Sequence, residues 1–189
     1  MLILYIQNHT MYLEIILGPM FSGKTTRIVE LYHQFVEENM KVIAINFAKD
    51  TRYDDKMIST HDRKMIPCVQ CETLAPLLEN GTVANTDVVL INEGQFFPDI
   101  FDVVLALVER HHKKVYVCGL DGDFTRRKFG SLLDLIPYCD AVTKLRSNCK
   151  YCDGAAIFSH RVTNETAQLV IGSDNYVPLC RKCYTKTMS

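Results

Sequence analysis

The sequence has no surplus of one charge, no long apolar run and no internal repeat, and each absence removes a class of protein. Twenty-one Lys and Arg stand against 22 Asp and Glu, a formal net charge of −1. Bulk electrostatics therefore gives no reason to expect nucleic acid or an anionic membrane as a partner. The apolar stretch at residues 1–6 is too short to span a bilayer. It has no basic start and no small-residue cleavage site after it, so a secretory signal is not expected. Residues 1–11 read as an extension, with Met11 able to serve as a second start. What remains is ordinary for a globular chain: 189 residues, 48% hydrophobic and 23% charged, enough for one full core and a small appendage.

The most informative segment is Gly18-Pro19-Met20-Phe21-Ser22-Gly23-Lys24-Thr25, which fits the phosphate-loop pattern Gly-x4-Gly-Lys-Ser/Thr. An apolar run at 11–17 with β-branched Ile15 and Ile16 precedes it. After it, residues 26–38 space Ile28, Leu31, Tyr32, Phe35 and Val36 as one face of a helix. Strand, loop and helix in that order turn backbone N–H groups toward one point at the positive end of the helix dipole. Lys24 then reaches the outer phosphates of a nucleoside triphosphate, and the Thr25 hydroxyl joins a Mg2+ shell.

Further apolar runs at Val42–Phe47, Val88–Ile91, 115–119 and, more weakly, 141–145 read as strands. Helical patterns lie at 73–79, interrupted by Pro76, and at 100–112. Alternation of this kind predicts an α/β fold, a P-loop NTPase-like parallel sheet flanked by helices, over residues 12–146. Residues 50–67 are polar and without a period, and are expected to form a long loop near the nucleotide.

From about residue 147 the composition changes. Cys149 and Cys152, then a gap of 27 residues, then Cys180 and Cys183 make two Cys-x-x-Cys turns. Four thiolates complete a tetrahedral Zn2+ site with no open position, so the metal is expected to be structural. A clasped segment at 147–189 is too small to fold alone and must lean on the α/β domain as a lid or pocket wall. With a phosphate loop and no export signal, a reducing, cytoplasmic compartment is expected and disulfides are not. Cys68 and Cys71 have no second pair to complete a site and read as packing, as does Cys118 inside a strand pattern.

The strand at Val88–Ile91 runs into Asn92 and Glu93. Apolar strands of phosphate-loop proteins often end beside the metal, where Asn92 can bond a metal-bound water without adding charge. Glu93 is the carboxylate for orienting water in a hydrolase or accepting a hydroxyl proton in a kinase; the alternative is a surface Glu after a strand.

Taken together, Gly18 to Thr25, Lys49-Asp50-Thr51-Arg52-Tyr53, Thr60-His61-Asp62, the run from Glu93 to Asp99, the run from Gly119 to Phe124, and Gly172, Tyr176 and the cysteine quartet resemble thymidine kinases of the cellular (type II) family over about residues 12–184. The resemblance implies transfer of the γ-phosphoryl of ATP to the 5′-hydroxyl of thymidine, with Mg2+ at the reaction centre and structural Zn2+ in a C-terminal lasso subdomain. It implies Glu93 as general base, and Asp50, Arg52, Asn92 and Gln95 at the phosphate end beside the loop. Met20, Phe96, Leu120, Phe124 and Phe129 match the thymine pocket, with Ser159, Ile171 and Tyr176 on the lasso side. Taken singly, each Phe is more often a core residue than a pocket one. A homotetramer and feedback inhibition by dTTP also follow from the resemblance alone. It departs at Asn92, where the family usually has Asp, so a weaker or shifted Mg2+ dependence is expected. Arg126, Arg127 and Lys128 read as a solvated face, and His61 and His160 as structural.

Two other readings compete. A zinc-lid nucleoside-monophosphate kinase carries its lid mid-chain, whereas this quartet is C-terminal. A DNA-binding P-loop ATPase draws slight support from Lys150, Arg181, Lys182 and Lys186, against the near-zero total charge and the lack of a basic stripe.

Overall fold

Val88–Ile91 offers no polar face, so a strand made of it needs cover on both sides. In the computed structural model, which describes residues 11–48, 57–60, 62–168, 170, 172 and 174–187, this segment is an inner strand with all four side chains fully buried. In chain order the α/β part contains β1 (Tyr12–Leu17), α1 (Lys24–Glu37), β2 (Val42–Phe47), β3 (Met57–Ser59), β4 (Met65–Pro67), β5 (Val69–Cys71), α2 (Ala75–Glu79), β6 (Val88–Ile91), α3 (Ile100–Leu105), β7 (Lys114–Gly119) and β8 (Ala141–Lys144). Six of these strands form one parallel sheet in the order β5-β2-β6-β7-β1-β8.

Alternating side chains sort into two layers. Leu13, Ile15, Ile45, Val89, Ile91 and Val117 face α2, α3 and a short 3-10 helix at Leu132–Tyr138. Ile16, Ala44, Leu90, Tyr116 and Cys118 face α1, whose Ile28, Leu31 and Phe35 are buried. The parallel sheet expected from the apolar runs is therefore present, and every parallel pair points its carboxyl end the same way, where ligands bind in such sheets.

The details correct three expectations. Within 50–67, Met57–Ser59 and Met65–Pro67 are strands: β3 and β4 pair as an antiparallel hairpin that buries Ile58 and Ile66 against α1. Two such short strands carry too few residues for a period to show. Pro76 does not interrupt α2 but lies in its first turn, where the missing N–H has no helical partner to lose. The amides of that end left without an intrahelical partner, on Leu74 and Ala75, both donate to Asp99 Oδ2 at 2.8 Å. The helix at 100–112 is regular only to Leu105 and continues through Ala106–Arg110 with wider, π-type turns. Sequence reading also missed β5, which pairs with β2 at the sheet edge. Its Cys71 packs in one core layer while Cys68, just before the strand, packs in the other, in keeping with packing roles for both.

The C-terminal part contains β9 (Ser147–Asn148), β10 (Ala155–Ala156), β11 (Phe158–Arg161), β12 (Tyr176–Leu179) and α4 (Arg181–Thr187). Its core is small: Cys149, Ala156, Leu179 and Tyr184 are buried, with Phe158 and Val177 against them. It leans on the sheet through named contacts. Tyr184 Oη donates to the Phe124 carbonyl at 2.6 Å, and the Arg126 guanidinium lies 4.7 Å from the Tyr184 ring centroid. No helix among the described residues is long and apolar enough to cross a membrane.

Candidate active site

β1 ends at Leu17 and α1 begins at Lys24, so the glycine-bearing segment turns at the carboxyl edge of the sheet. Gly23 takes φ 84°, a left-handed conformation that a side chain would strain, and its carbonyl accepts the first helical bond from the Arg27 amide at 2.9 Å. A Cβ on Gly18 would meet Ser22 Oγ at 2.5 Å and the Leu145 carbonyl at 3.0 Å, so the loop closes tightly on itself. Lys24 is buried, and its Nζ donates to the carbonyls of Gly18 (3.1 Å) and Pro19 (2.8 Å). The ammonium is thereby held at the loop next to the amides of the first helical turn. Together they make an anion cradle.

Glu93 follows β6 directly and has φ 55°, ψ 42°, an uncommon conformation for a residue with a side chain. Its carboxylate is fixed from behind. Gln95, 3% exposed, donates from Nε2 to Glu93 Oε2 at 2.7 Å and accepts from the Leu120 amide at 3.0 Å. A Cβ on Gly119 would collide with the Gln95 side-chain oxygen, and one on Gly130 with its carbonyl. Those glycines let the Gln95 bracket fit.

Asn92 is buried in a short polar relay across three neighbouring strands. Its Nδ2 donates to Asn46 Oδ1 on β2 at 2.8 Å, and its Oδ1 accepts from Cys118 Sγ on β7 at 2.9 Å. Burial first, and the Glu93 charge second, push the Cys118 thiol up to about 12, so it stays a donor.

A cavity of about 500 Å³ opens over these strand ends. Met20, Phe21, Ser22, Gly23, Lys24 and Thr25 line one side, with Asn92 and Glu93 beside them. Phe96, Leu120, Phe124 and Phe129 line the other, and Ser159 and Tyr176 reach it from the C-terminal part. Phe96 stands edge-on to Phe129 with centroids 5.3 Å apart, and Phe47 lies 5.2 Å from Phe96, so the slot is lined by aromatic rings. The described site residues expected from the sequence are thus brought together, with three exceptions. Gly18 and Pro19 serve the cradle from below through Lys24, and Gln95 stands behind Glu93 rather than in the cavity wall. Asp50, Arg52, His61 and Ile171 lie outside the described residues.

The lasso side is held by a residue that sequence reading missed. Arg161, 5% exposed, donates from Nη1 to the carbonyls of Glu165 (2.7 Å) and Ala167 (2.5 Å). From Nη2 it donates to the Gln168 carbonyl (3.1 Å) and Tyr176 Oη (2.5 Å), and its guanidinium sits 3.8 Å from the Phe124 ring centroid. Gln168 Nε2 in turn donates to Asp123 Oδ2 at 2.8 Å, while Asp123 Oδ1 accepts from the Thr125 and Arg127 amides. Burial works to raise the Asp123 carboxyl, but hydrogen bonds from Thr125, Gln168 and Arg127 outweigh it and hold the group below the usual carboxylate range. Two further bonds join the lasso to the phosphate loop: Met20 N–H donates to Ser159 Oγ at 2.9 Å, and Ser147 Oγ donates to the Phe21 carbonyl at 2.9 Å. Asn46, Phe47, Asp123 and Gln168 also line the cavity and were not foreseen. Asp123 lies within the run from Gly119 to Phe124 that carried the resemblance but had no role assigned to it, and Asn46 is the polar residue inside an apolar strand pattern. His160 stacks edge-on to Tyr184 and burial lowers its pKa, which suits a structural role.

The four cysteines Cys149, Cys152, Cys180 and Cys183 converge with all sulfurs within 4.8 Å of one another. Sγ of Cys152 is 3.6 Å from those of Cys180 and Cys183. A Zn–S tetrahedron with bonds of ~2.3 Å has edges of about 3.8 Å, so the quartet fits such an ion. Amides point at the sulfurs as they do toward thiolates: Cys180 N–H to Cys149 at 3.3 Å and Gly154 N–H to Cys152 at 3.4 Å.

A family model described as thymidine kinase matches residues 11–184. The chain belongs to the thymidine kinase family. It is 41% identical over 177 residues to a thymidine kinase of Oryza sativa subsp. japonica, covering 91% of this chain and 65% of that protein. A thymidine kinase of Yaba monkey tumor virus is 38% identical over 176 residues, covering 93% and 95%. The cytosolic thymidine kinase of Homo sapiens is 36% identical over 178 residues, covering 94% and 74%. This chain thus spans about two thirds of the rice relative's length and nearly all of the viral one's.

Proposed function

We propose that the protein transfers the γ-phosphoryl group of ATP to the 5′-hydroxyl of thymidine, yielding thymidine monophosphate and ADP. One arrangement carries this reading: the residues of the anion cradle, those of the aromatic slot and Glu93 all line a single cavity. The slot formed by Phe96, Leu120, Phe124 and Phe129 suits the faces of a pyrimidine, and Val170, Gly172 and Tyr176 line the same cavity. Glu93 accepts the hydroxyl proton as the 5′-oxygen bonds to phosphorus and the bond from phosphorus to the β,γ-bridging oxygen breaks. Lys24 and the loop amides hold the charge that passes to the leaving ADP. The Gln95 bracket keeps the carboxylate aimed without competing for the proton.

Mg2+ arriving with ATP would offset the phosphate charge, and the Thr25 hydroxyl is the group at hand to hold it. Asp123 is instead tied to Thr125, Arg127 and Gln168 by hydrogen bonds. Zn2+ in the thiolate quartet is structural and holds the base of the lasso. The same reading takes dTTP as a feedback inhibitor that fills the slot and reaches the cradle with its phosphates, and the assembly as a homotetramer.

The test is transfer from γ-labelled ATP over an acceptor panel of thymidine, deoxyuridine and thymidylate, with DNA added separately. Label on thymidine is expected. Transfer to thymidylate instead, or hydrolysis stimulated by DNA, would replace this reading with one of its competitors.

A further inference from the structure

Asn46 is the one polar side chain in β2, the strand Val42–Phe47, and it is 4% exposed. Asn46 Oδ1 is taken by Asn92 Nδ2, and Asn92 Oδ1 is taken by the Cys118 thiol. The direction of this relay follows from its donor end. The Cys118 thiol donates to Asn92 Oδ1, and Asn92 donates onward with its nitrogen. Asn46 must then accept with its oxygen as well. That leaves the Asn46 amide nitrogen as the end of the chain. No acceptor for it lies among the described residues, and Asn46 borders the cavity. A donor turned to the cavity and not spent on an acceptor in the protein can bond an acceptor on a ligand there.

The strand's alternation says which ligand. Ile45 and Phe47 point into the layer beneath the aromatic slot, where Phe47 meets Phe96. Asn46 takes the opposite face, shared with Ala44 and Cys118 in the layer under α1. Helix α1 covers that face, and its first turn, the anion cradle, lines the same cavity as Asn46.

Resting on the reading that phosphoryl transfer occurs in this cavity, we propose that Asn46 is a further substrate-contacting residue whose amide N–H donates to a phosphoryl oxygen of the bound triphosphate. Asn92 and Cys118 are positioning residues that fix which end of the Asn46 amide faces the cavity. At this edge of the sheet the chain presents neutral amides where a carboxylate would repel phosphate. The relay supplies a donor to the phosphoryl group in place of an anionic ligand for the metal.

Asn46→Asp tests the contact almost isosterically. One carboxylate oxygen still accepts from Asn92, while the other replaces the cavity-facing donor by an anion. Inorganic tripolyphosphate is titrated calorimetrically into full-length, zinc-loaded wild type and variant without nucleoside or Mg2+, and ATP and thymidine are then varied separately in the transfer assay. Expected are a loss of tripolyphosphate affinity and a fall in kcat/KM for ATP of roughly 10–100-fold, with KM for thymidine within about twofold. Asn46→Ala, which adds no charge, is expected to move both quantities in the same direction by less, and it serves as well should the Asp variant fold poorly. Unchanged affinity in both variants would overturn the proposal and leave the amide a structural group. Tighter Mg2+ binding with improved turnover in Asn46→Asp would also overturn it, since an oxygen would then face the metal. The titration needs no nucleoside, so a loss of affinity supports the contact even if thymidine proves not to be the acceptor.

Discussion

The two ends of the cavity are built on opposite plans. The phosphate end consists of strand termini in a six-stranded sheet, and its polar groups are tied to neighbours on adjacent strands: Glu93 to Gln95, Asn92 to Asn46 and Cys118. The nucleoside end borrows a wall from a unit whose own core has four buried residues. The carbonyls of Glu165, Ala167 and Gln168 hang from one guanidinium, that of Arg161. A sheet edge stays in register because the whole core holds it, whereas a wall pinned at few points is lost when one pin is removed. Damage at the first end should therefore appear in turnover, and damage at the second in recognition of the nucleoside.

The sharpest test of that division is Glu93→Gln. Turnover should fall by roughly 10²–10⁴ with KM for thymidine and the melting temperature little changed. A large rise in KM with turnover retained would erase the distinction. Next in size is Cys152→Ser, or chelation of the thiolate-bound metal. With the lasso base undone, KM for thymidine should rise at least about tenfold while tripolyphosphate still binds, because the thiolate site folds its own segment and not the sheet. Arg161→Met keeps most of the volume and removes the hydrogen bonds to the lasso. KM for thymidine should rise by roughly tenfold and stability should fall by about 1–3 kcal/mol, with KM for ATP unmoved.

The smallest effect concerns Asp123, whose folded carboxyl lies below its ordinary value. Its contribution is present above the unfolded pKa of ~3.9 and is lost as pH falls through the lower folded value, because the unfolded chain takes up the proton first. Thermal midpoints measured from pH 6 down to pH 3 should therefore drop less steeply in Asp123→Asn than in the wild type. Equal slopes would remove Asp123 from the ties between the lasso and the sheet.

Legibility in the sequence followed the same divide. The phosphate loop, the strand leading to Glu93 and the cysteine quartet each lie within a short stretch of chain, or at a spacing with a chemical meaning, and all could be read directly. The slot was reachable only through resemblance, since Phe96, Phe124 and Phe129 look like core residues until the fold turns them to one cavity. Arg161 and Gln168 gave no signal: their partners are backbone carbonyls and a carboxylate 45 residues away, contacts that no local pattern encodes. Gln95 could be marked as part of the site but not as the bracket behind Glu93, because its second partner, the Leu120 amide, comes from the end of another strand. β5 and the β3–β4 hairpin were too short to display alternation.

The most direct measurement of the central claim uses a bisubstrate ligand, thymidine joined 5′-to-5′ to adenosine through a chain of four phosphates, as an inhibitor of the transfer reaction. If the slot, Glu93 and the cradle belong to one cavity, the compound should compete with both ATP and thymidine and bind more tightly than either. Competition with one substrate alone, at an affinity no better than that substrate's own, would contradict the account.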